Sequence, residues 1–170
     1  MDRDAEREIE MECQQLVCKY YDHVDHYEYE QAVALFTLDV DWIALGVKLD
    51  GPNEILKGLY GGLGDGTIRH VLSNIMVDVI DENHAKGRVY GTLYSSPDIC
   101  YDQHEGPISF EGPTQIVDGL DEYTRTADGW RISQRRGNAI FKRDPSLPVP
   151  LQSWAENEGK VAPSGEELDG

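Results

Sequence analysis

The stretch His23-Val24-Asp25-His26-Tyr27-Glu28-Tyr29-Glu30 places two histidines, two tyrosines and three acids where two helical patterns meet. Asp22, His23, Asp25 and His26 have the i, i+3 spacing of possible metal ligands. A short polar run between helices is more simply a solvated turn, and no metal is expected. Asp25 is the member that could do chemistry. A lone carboxylate at the end of an amphipathic helix can be aimed into the interior, where it handles or orients a proton. Its plainer role is the N-cap of the next helix, a position that favours Asp. The run is read as a turn that aims Asp25 inward and leaves His23, His26 and the glutamates to solvent.

Other side chains could surround such an acid. Tyr20, Tyr21, Trp42 and Tyr90 could line a pocket for a ring-bearing substrate or donate a phenolic hydrogen bond, with core packing as the alternative for each. Arg136 shares strand parity with Trp130 and Ile132 and should point inward, toward a substrate oxygen or a carboxylate. A surface salt bridge is its alternative. "GLYGGLGDG" lacks the GK[ST] of a phosphate loop and suits a mobile lid.

The elements that must position these residues follow from periodicity. Ile9, Cys13, Leu16, Val17, Tyr20 and Val24 form one stripe of a helix over about Ala5 to Val24. A second helix is predicted over about Glu28 to Thr37. "DVDWIALG" alternates as a half-buried strand, and "DGPNEILKGL" starts a short helix with Pro52 in its first turn. Four long strands follow: "TIRHVLSNIMVDVID", "HAKGRVYGTLYSS", "TQIVDGLDEYTRTA" and "WRISQRRGNAIFKR", the last two joined at Asp128-Gly129. Grouped helices followed by grouped strands predict an α+β fold. It is a cone-shaped curved antiparallel (mixed) sheet with three N-terminal helices closing a central cavity. The domain is expected over residues 1–143. Residues 144–170, rich in Pro, Gly and acid, read as an extended segment and acidic tail that could cover the pocket or reach a neighbour through Trp154.

Composition narrows the partners. The chain has 170 residues, 39% of them hydrophobic, and a net charge of −17. Such a surface repels phosphate, so neither nucleic acid nor an anionic membrane is an expected partner. The N-terminal residues lack the apolar core of a signal peptide, and no apolar window is long enough to span a bilayer. Cys13, Cys18 and Cys100 are an odd count without metal spacing, which fits reduced thiols in a cytoplasmic protein.

Five features resemble the SnoaL-like family of the nuclear transport factor 2-like superfamily. They are Asp25 after the first helix, "DVDWIALG" with Trp42, "GPNEILKGL", "IRHVLSNIMVDV", and the last hairpin "YTRTADGWRISQRR". Lyase members of that group, scytalone dehydratase and hexachlorocyclohexane dehydrochlorinase, carry an Asp after the first helix. They also carry a His that begins a long strand, with an Asn four residues on. Asp25, His70 and Asn74 occupy those positions. Trp42 and Gly51-Pro52 are similar to the dehydrochlorinase pattern. Bile-acid 7α-dehydratase resembles the chain in the same way, including the Arg143-Asp144-Pro145 run. The dehydrochlorinase has a lysine where this chain has Tyr20, and its late arginine aligns near Gly137, so Arg136 is an approximate counterpart.

The resemblance implies a His70–Asp25 dyad. A buried carboxylate would fix the tautomer of the imidazole, whose other nitrogen would take a proton from carbon. Elimination follows if a leaving group lies beta to that proton, and isomerisation if the proton is returned elsewhere. The chemistry calls for no cofactor. The expected activity is a dehydratase-type lyase on a small, largely apolar cyclic or aromatic molecule. Trp42, Tyr20, Tyr21, Tyr90, Asn74 and Arg136 would bind the substrate. An isomerase, a cyclase or a carbon–carbon lyase with the same dyad is the alternative, followed by a non-catalytic binding or oxygenase-subunit-like module. A homotrimer is expected, or a homodimer.

Overall fold

The helix expected from Ala5 runs from Arg3 to Asp25 (α1) in a computed structural model of the chain that describes residues 1–62, 66–97, 99–108 and 112–143. Segment 144–170 with Trp154, and part of the glycine-rich loop, 63–65, lie outside the described residues. Asp2 caps α1 by accepting from the amides of Asp4 and Ala5 at 3.0 and 2.9 Å. Its stripe of Ile9, Cys13, Leu16, Val17, Tyr20 and Val24 is buried.

The second helix is shorter than the sequence predicts. It spans Tyr29–Val33 (α2), and by Phe36 the chain is already in strand β1, Phe36–Ala44. Pairing is the cause. The Ile132 amide donates to the Leu35 carbonyl at 2.9 Å, and Phe36 stands in register with Ile132. The ladder takes residues whose apolar pattern suits either state. β1 turns through Leu45 and Gly46, with φ of 54° and 74°, into an unexpected strand β2, Val47–Asp50. Two positive φ angles make a type I′ hairpin, and Leu-Gly lacks the Asn or Asp that normally signals one. Helix α3, Pro52–Gly62, follows.

The remaining strands are β3 (Thr67–Val79), β4 (His84–Ser96), β5 (Gln115–Thr126) and β6 (Gly129–Lys142), with one 3-10 turn at Tyr101–Gln103. The sheet order is β2-β1-β6-β5-β4-β3. β1 pairs with β6 in parallel and every other pair is antiparallel. Among the described residues the result is an α+β fold with a curved, unclosed mixed sheet and three helices.

Of the register shifts in the sheet, two reset the alternation of side chains near the site. In β3 the register shifts between Ser73 and Met76, with Asn74 at φ 50°. In β6 Ser133 is the extra residue, because Tyr123 pairs with Ile132 but Glu122 pairs with Gln134. Before that bulge Trp130 and Ile132 are buried, and after it Arg135 and Gly137 are. The core packs α1 and β1 against the concave face through Cys13, Tyr20, Phe36, Tyr123 and Ile132. Gly87 makes room for Tyr123: a Cβ there would lie 2.7 Å from the phenol oxygen. Among the described residues no helix is long and apolar enough to cross a membrane.

Candidate active site

Asp25 is the last residue of α1, and His26 leaves the helix at φ −107°. A carboxylate there meets the negative end of the helix dipole, so it needs donors from elsewhere. β3 supplies both from one residue, His70. His70 Nδ1 lies 2.5 Å from Asp25 Oδ1, and the His70 amide donates to Oδ2 at 2.7 Å. Arg69 Nη1 donates to the Asp25 carbonyl at 2.7 Å. The pair is shielded, with side-chain exposures of 8% for Asp25 and 14% for His70. Asp25 accepting at Nδ1 fixes the proton on that nitrogen. Nε2 is then the basic atom, with no partner among the described residues.

The polar turn after α1 clamps this arrangement. Tyr27, at φ 61°, donates its hydroxyl to the Gly66 carbonyl at 2.6 Å, just before β3. His23 Nδ1 pairs with Glu28 at 2.6 Å, and His26 Nδ1 lies 2.7 Å from the Asp22 carbonyl. Asp25 does not cap α2, whose N-cap is Glu28. Among the described residues no group of three or more His, Cys, Asp or Glu is arranged to hold a metal.

A second charged pair stands across the concave face. Arg135 Nε and Nη2 donate to the two carboxylate oxygens of Asp121 at 2.7 and 2.6 Å, with side-chain exposures of 5% and 1%. The guanidinium carbon lies 4.2 Å from the Tyr20 ring centroid and 5.2 Å from that of Tyr21. Burial opposes the charge of Arg135, but Asp121 together with the Tyr21 and Tyr20 phenols holds the group well above its ordinary value. Burial pushes the Tyr20 phenol up to about 12, against the pull of Arg135, and raises Tyr21 as well. Both therefore keep their protons at neutral pH. The Tyr21 ring leans on the His70 imidazole, with centroids 4.6 Å apart and planes at 46°.

These groups border a cavity of about 540 Å³, within the range of small-molecule sites. Its wall is largely aliphatic and aromatic, with Val24 of α1, Ile55 and Leu59 of α3, and Trp42, Leu49, Ile68 and Leu93 from the sheet. Gly91, Gly119 and Gly137 border it from three adjacent strands. A Cβ at Gly91 would meet nothing nearer than Leu72 at 4.0 Å, whereas at Gly119 and Gly137 it would press on Val89 and Ala44 at 3.0 and 3.1 Å.

The structure places the predicted site residues unequally. Tyr20, Tyr21, Trp42 and His70 line the cavity, with Asp25 behind His70. Asn74 does not: it is exposed and sits at the β3 bulge, where Asn tolerates the positive φ. Tyr90 is 38% exposed and stands opposite Ser73 and Asp118, on the convex face. Arg136 is also corrected. It borders the cavity, but in the ladder it stands opposite exposed Leu120, and its guanidinium pairs with Asp41 on the convex side. The Ser133 bulge makes Arg135 the inward arginine, and the parity counted from Trp130 skips it. Asp121 also escaped sequence reasoning. An acid and an arginine near facing positions of one hairpin are the only signal it offered.

Comparison with known proteins agrees with this fold. The SnoaL-like domain family matches residues 5–136. The uncharacterized protein Rv2910c of Mycobacterium tuberculosis is 33% identical over 148 residues, covering 82% of this chain and 90% of its own. A scytalone dehydratase-like protein of Novosphingobium aromaticivorans superposes with a TM-score of 0.69 at 18% identity, covering 87% of this chain and 95% of that one. The LinA-type3 hexachlorocyclohexane dehydrochlorinase of Novosphingobium barchaimii gives 0.65 at 13% identity, covering 84% and 93%.

Proposed function

The chain belongs to the SnoaL-like domain family, and from that premise we propose that it is a cofactor-independent lyase of the dehydratase type. The observation that carries this reading is the Asp25–His70 pair at the wall of an apolar cavity. His70 Nε2 takes a proton from a carbon of a small, largely apolar cyclic or aromatic substrate. Asp25 holds the ring in the reactive tautomer and faces the positive charge that the imidazole gains. A leaving group beta to that carbon departs as the double bond forms. Trp42, Tyr20 and Tyr21 enclose the ring. The likeness to dehydratase and dehydrochlorinase folds supports a lyase or isomerase role, and the protein is expected to work in the cytoplasm.

The test is turnover of hydroxylated mono- and bicyclic compounds followed by mass spectrometry. The expected product is lighter than its substrate by one water. His70→Gln should lower the rate by about 10²–10⁴-fold, the usual contribution of a positioned base. A product of unchanged mass would move the protein to the isomerases. Full turnover by His70→Gln would remove the dyad from the mechanism.

A further inference from the structure

The convex face of the sheet carries apolar side chains that nothing covers among the described residues. Leu93, Val117 and Gly119 line the cavity, so their neighbours in sequence turn to the opposite face. One row on that face runs Val71, Thr92, Ile116 and Phe141 across four strands, with Val71 54% and Phe141 65% exposed. In the next row Tyr90 stands beside Asp118. In the third, Arg88 stands between Met76 and Leu120, both exposed. A charged row follows, with the Lys86–Glu122 ion pair at 2.9 Å. A contiguous exposed patch of this kind marks an interaction surface.

Two charged groups in the patch point to its occupant. Arg88 is exposed and has no ion-pair or hydrogen-bond partner among the described residues. Asp118 is half-buried, its carboxylate accepts no hydrogen bond among the described residues, and its Oδ1 is shut off from solvent. A carboxylate in that state calls for a donor. The two residues sit on adjacent strands but diagonally, since Arg88 pairs in register with Leu120 and Asp118 with Tyr90. Such diagonal neighbours lie roughly 7–8 Å apart, and these two do not bond each other.

We propose that a second copy of this chain covers the patch, in a two-fold dimer where Arg88 of each subunit donates to Asp118 of the partner subunit. A two-fold contact is self-complementary, so one unpaired cation and one donorless anion on the face yield two cross-pairs. Net charge favours this face over others. The chain carries −17, which drives two copies apart. Within the patch Arg88 balances Asp118, and Arg136 is already paired with Asp41, so the formal charges cancel. Two such faces meet without like-charge repulsion and bury their apolar rows together. The cavities lie on the concave faces and stay clear of the contact. The dimer therefore goes beyond the lyase reading and stands without it.

The experiment is analytical ultracentrifugation of the full chain. Wild type should sediment as a dimer of the 19.1 kDa chain. Arg88→Glu sets acid against acid across the two-fold, and Asp118→Arg sets cation against cation. Each variant alone should be monomeric where wild type is dimeric, with circular dichroism confirming that it is folded. In a one-to-one mixture of the two variants every cross-contact joins opposite charges, and the dimer should return. Should Asp118→Arg not fold, Asp118→Asn keeps the shape and should still weaken the dimer about tenfold, the scale of one hydrogen bond to a charged group. A monomeric wild type, a trimer, charge-reversed variants that stay dimeric on their own, or folded variants whose mixture stays monomeric would each overturn the proposal.

Discussion

Asp121→Asn removes the only ion-pair partner that Arg135 has among the described residues. Both carboxylate oxygens accept charged N–H donors, at 2.7 and 2.6 Å, and the two side chains are 5% and 1% exposed. Asparagine offers one acceptor oxygen and turns an NH₂ group toward a guanidinium that also only donates. The Tyr20 and Tyr21 rings beside the guanidinium are present in both proteins, so their attraction cancels from the difference. What remains is a buried, uncompensated cation, which costs about 3–5 kcal/mol. At about 2–4 °C per kcal/mol for a chain of this size, Tm should fall by about 6–20 °C. Urea unfolding followed by circular dichroism measures the free energy, and a thermal scan the Tm. Asp121→Leu with Arg135→Met is the companion variant, and it should lie within about 2 kcal/mol of wild type or above it. A single variant within about 1 kcal/mol of wild type would refute the desolvation argument. A double variant no better than the single would show that packing, not stranded charge, sets the loss.

Gly87→Ala should cost about 1–3 kcal/mol in the same unfolding assay, because the new Cβ would lie 2.7 Å from the Tyr123 hydroxyl oxygen and 2.8 Å from its Cε2. Gly91→Ala, where the nearest atom is 4.0 Å away, should leave stability nearly unchanged and is the control. Alkaline pH should destabilise the fold. Burial raises the Tyr20 phenol from 10.0 to about 12, so between those values the native state binds a proton that the unfolded state has lost. Stability is then full below about pH 10 and falls as pH rises, by about 1.4 kcal/mol per unit for that tyrosine, and Tyr29 acts in the same direction. Unfolding free energies measured across pH 9–12 check the slope, and a flat profile would contradict it. Proton NMR should show the His70 Nδ1–H far downfield, as its short contact with Asp25 requires, and the resonance should vanish in Asp25→Asn.

Much of the fold was legible because the chain states its periods clearly. The α1 stripe is six apolar residues at helical steps, and all six are buried. The long strands announce themselves by β-branched residues and the Asp128-Gly129 turn. What stayed hidden is what tertiary pairing decides. Leu35 and Phe36 fit a helix until Ile132 claims them, and β2 hides behind a Leu-Gly turn. The same limit governs the site. Asp25 and His70 are 45 residues apart and meet only through the fold. Side-chain direction along β6 could be read up to Ser133 and not past it. One inserted residue exchanges Arg136 for Arg135, which is why the sequence pointed to the arginine on the wrong face. The resemblance places Asn74 at the site, and the bulge at that position turns it out of the cavity.

The parallel ladder between β1 and β6 has a consequence for assembly. It joins Asp41 to Gln134 and Trp42 to Arg135, so it closes the longest sequence loop in the sheet. Every other strand pair is a neighbour in chain order, and each can zip from its own turn. β1 and β2 must therefore wait, as a lone hairpin beside α1, until the final strand has been made. Trp42 and Arg135 become neighbours only at that step, and the cavity gains its last wall with it. Any ligand held in that cavity binds only the finished sheet, so it would favour the closed ladder by mass action.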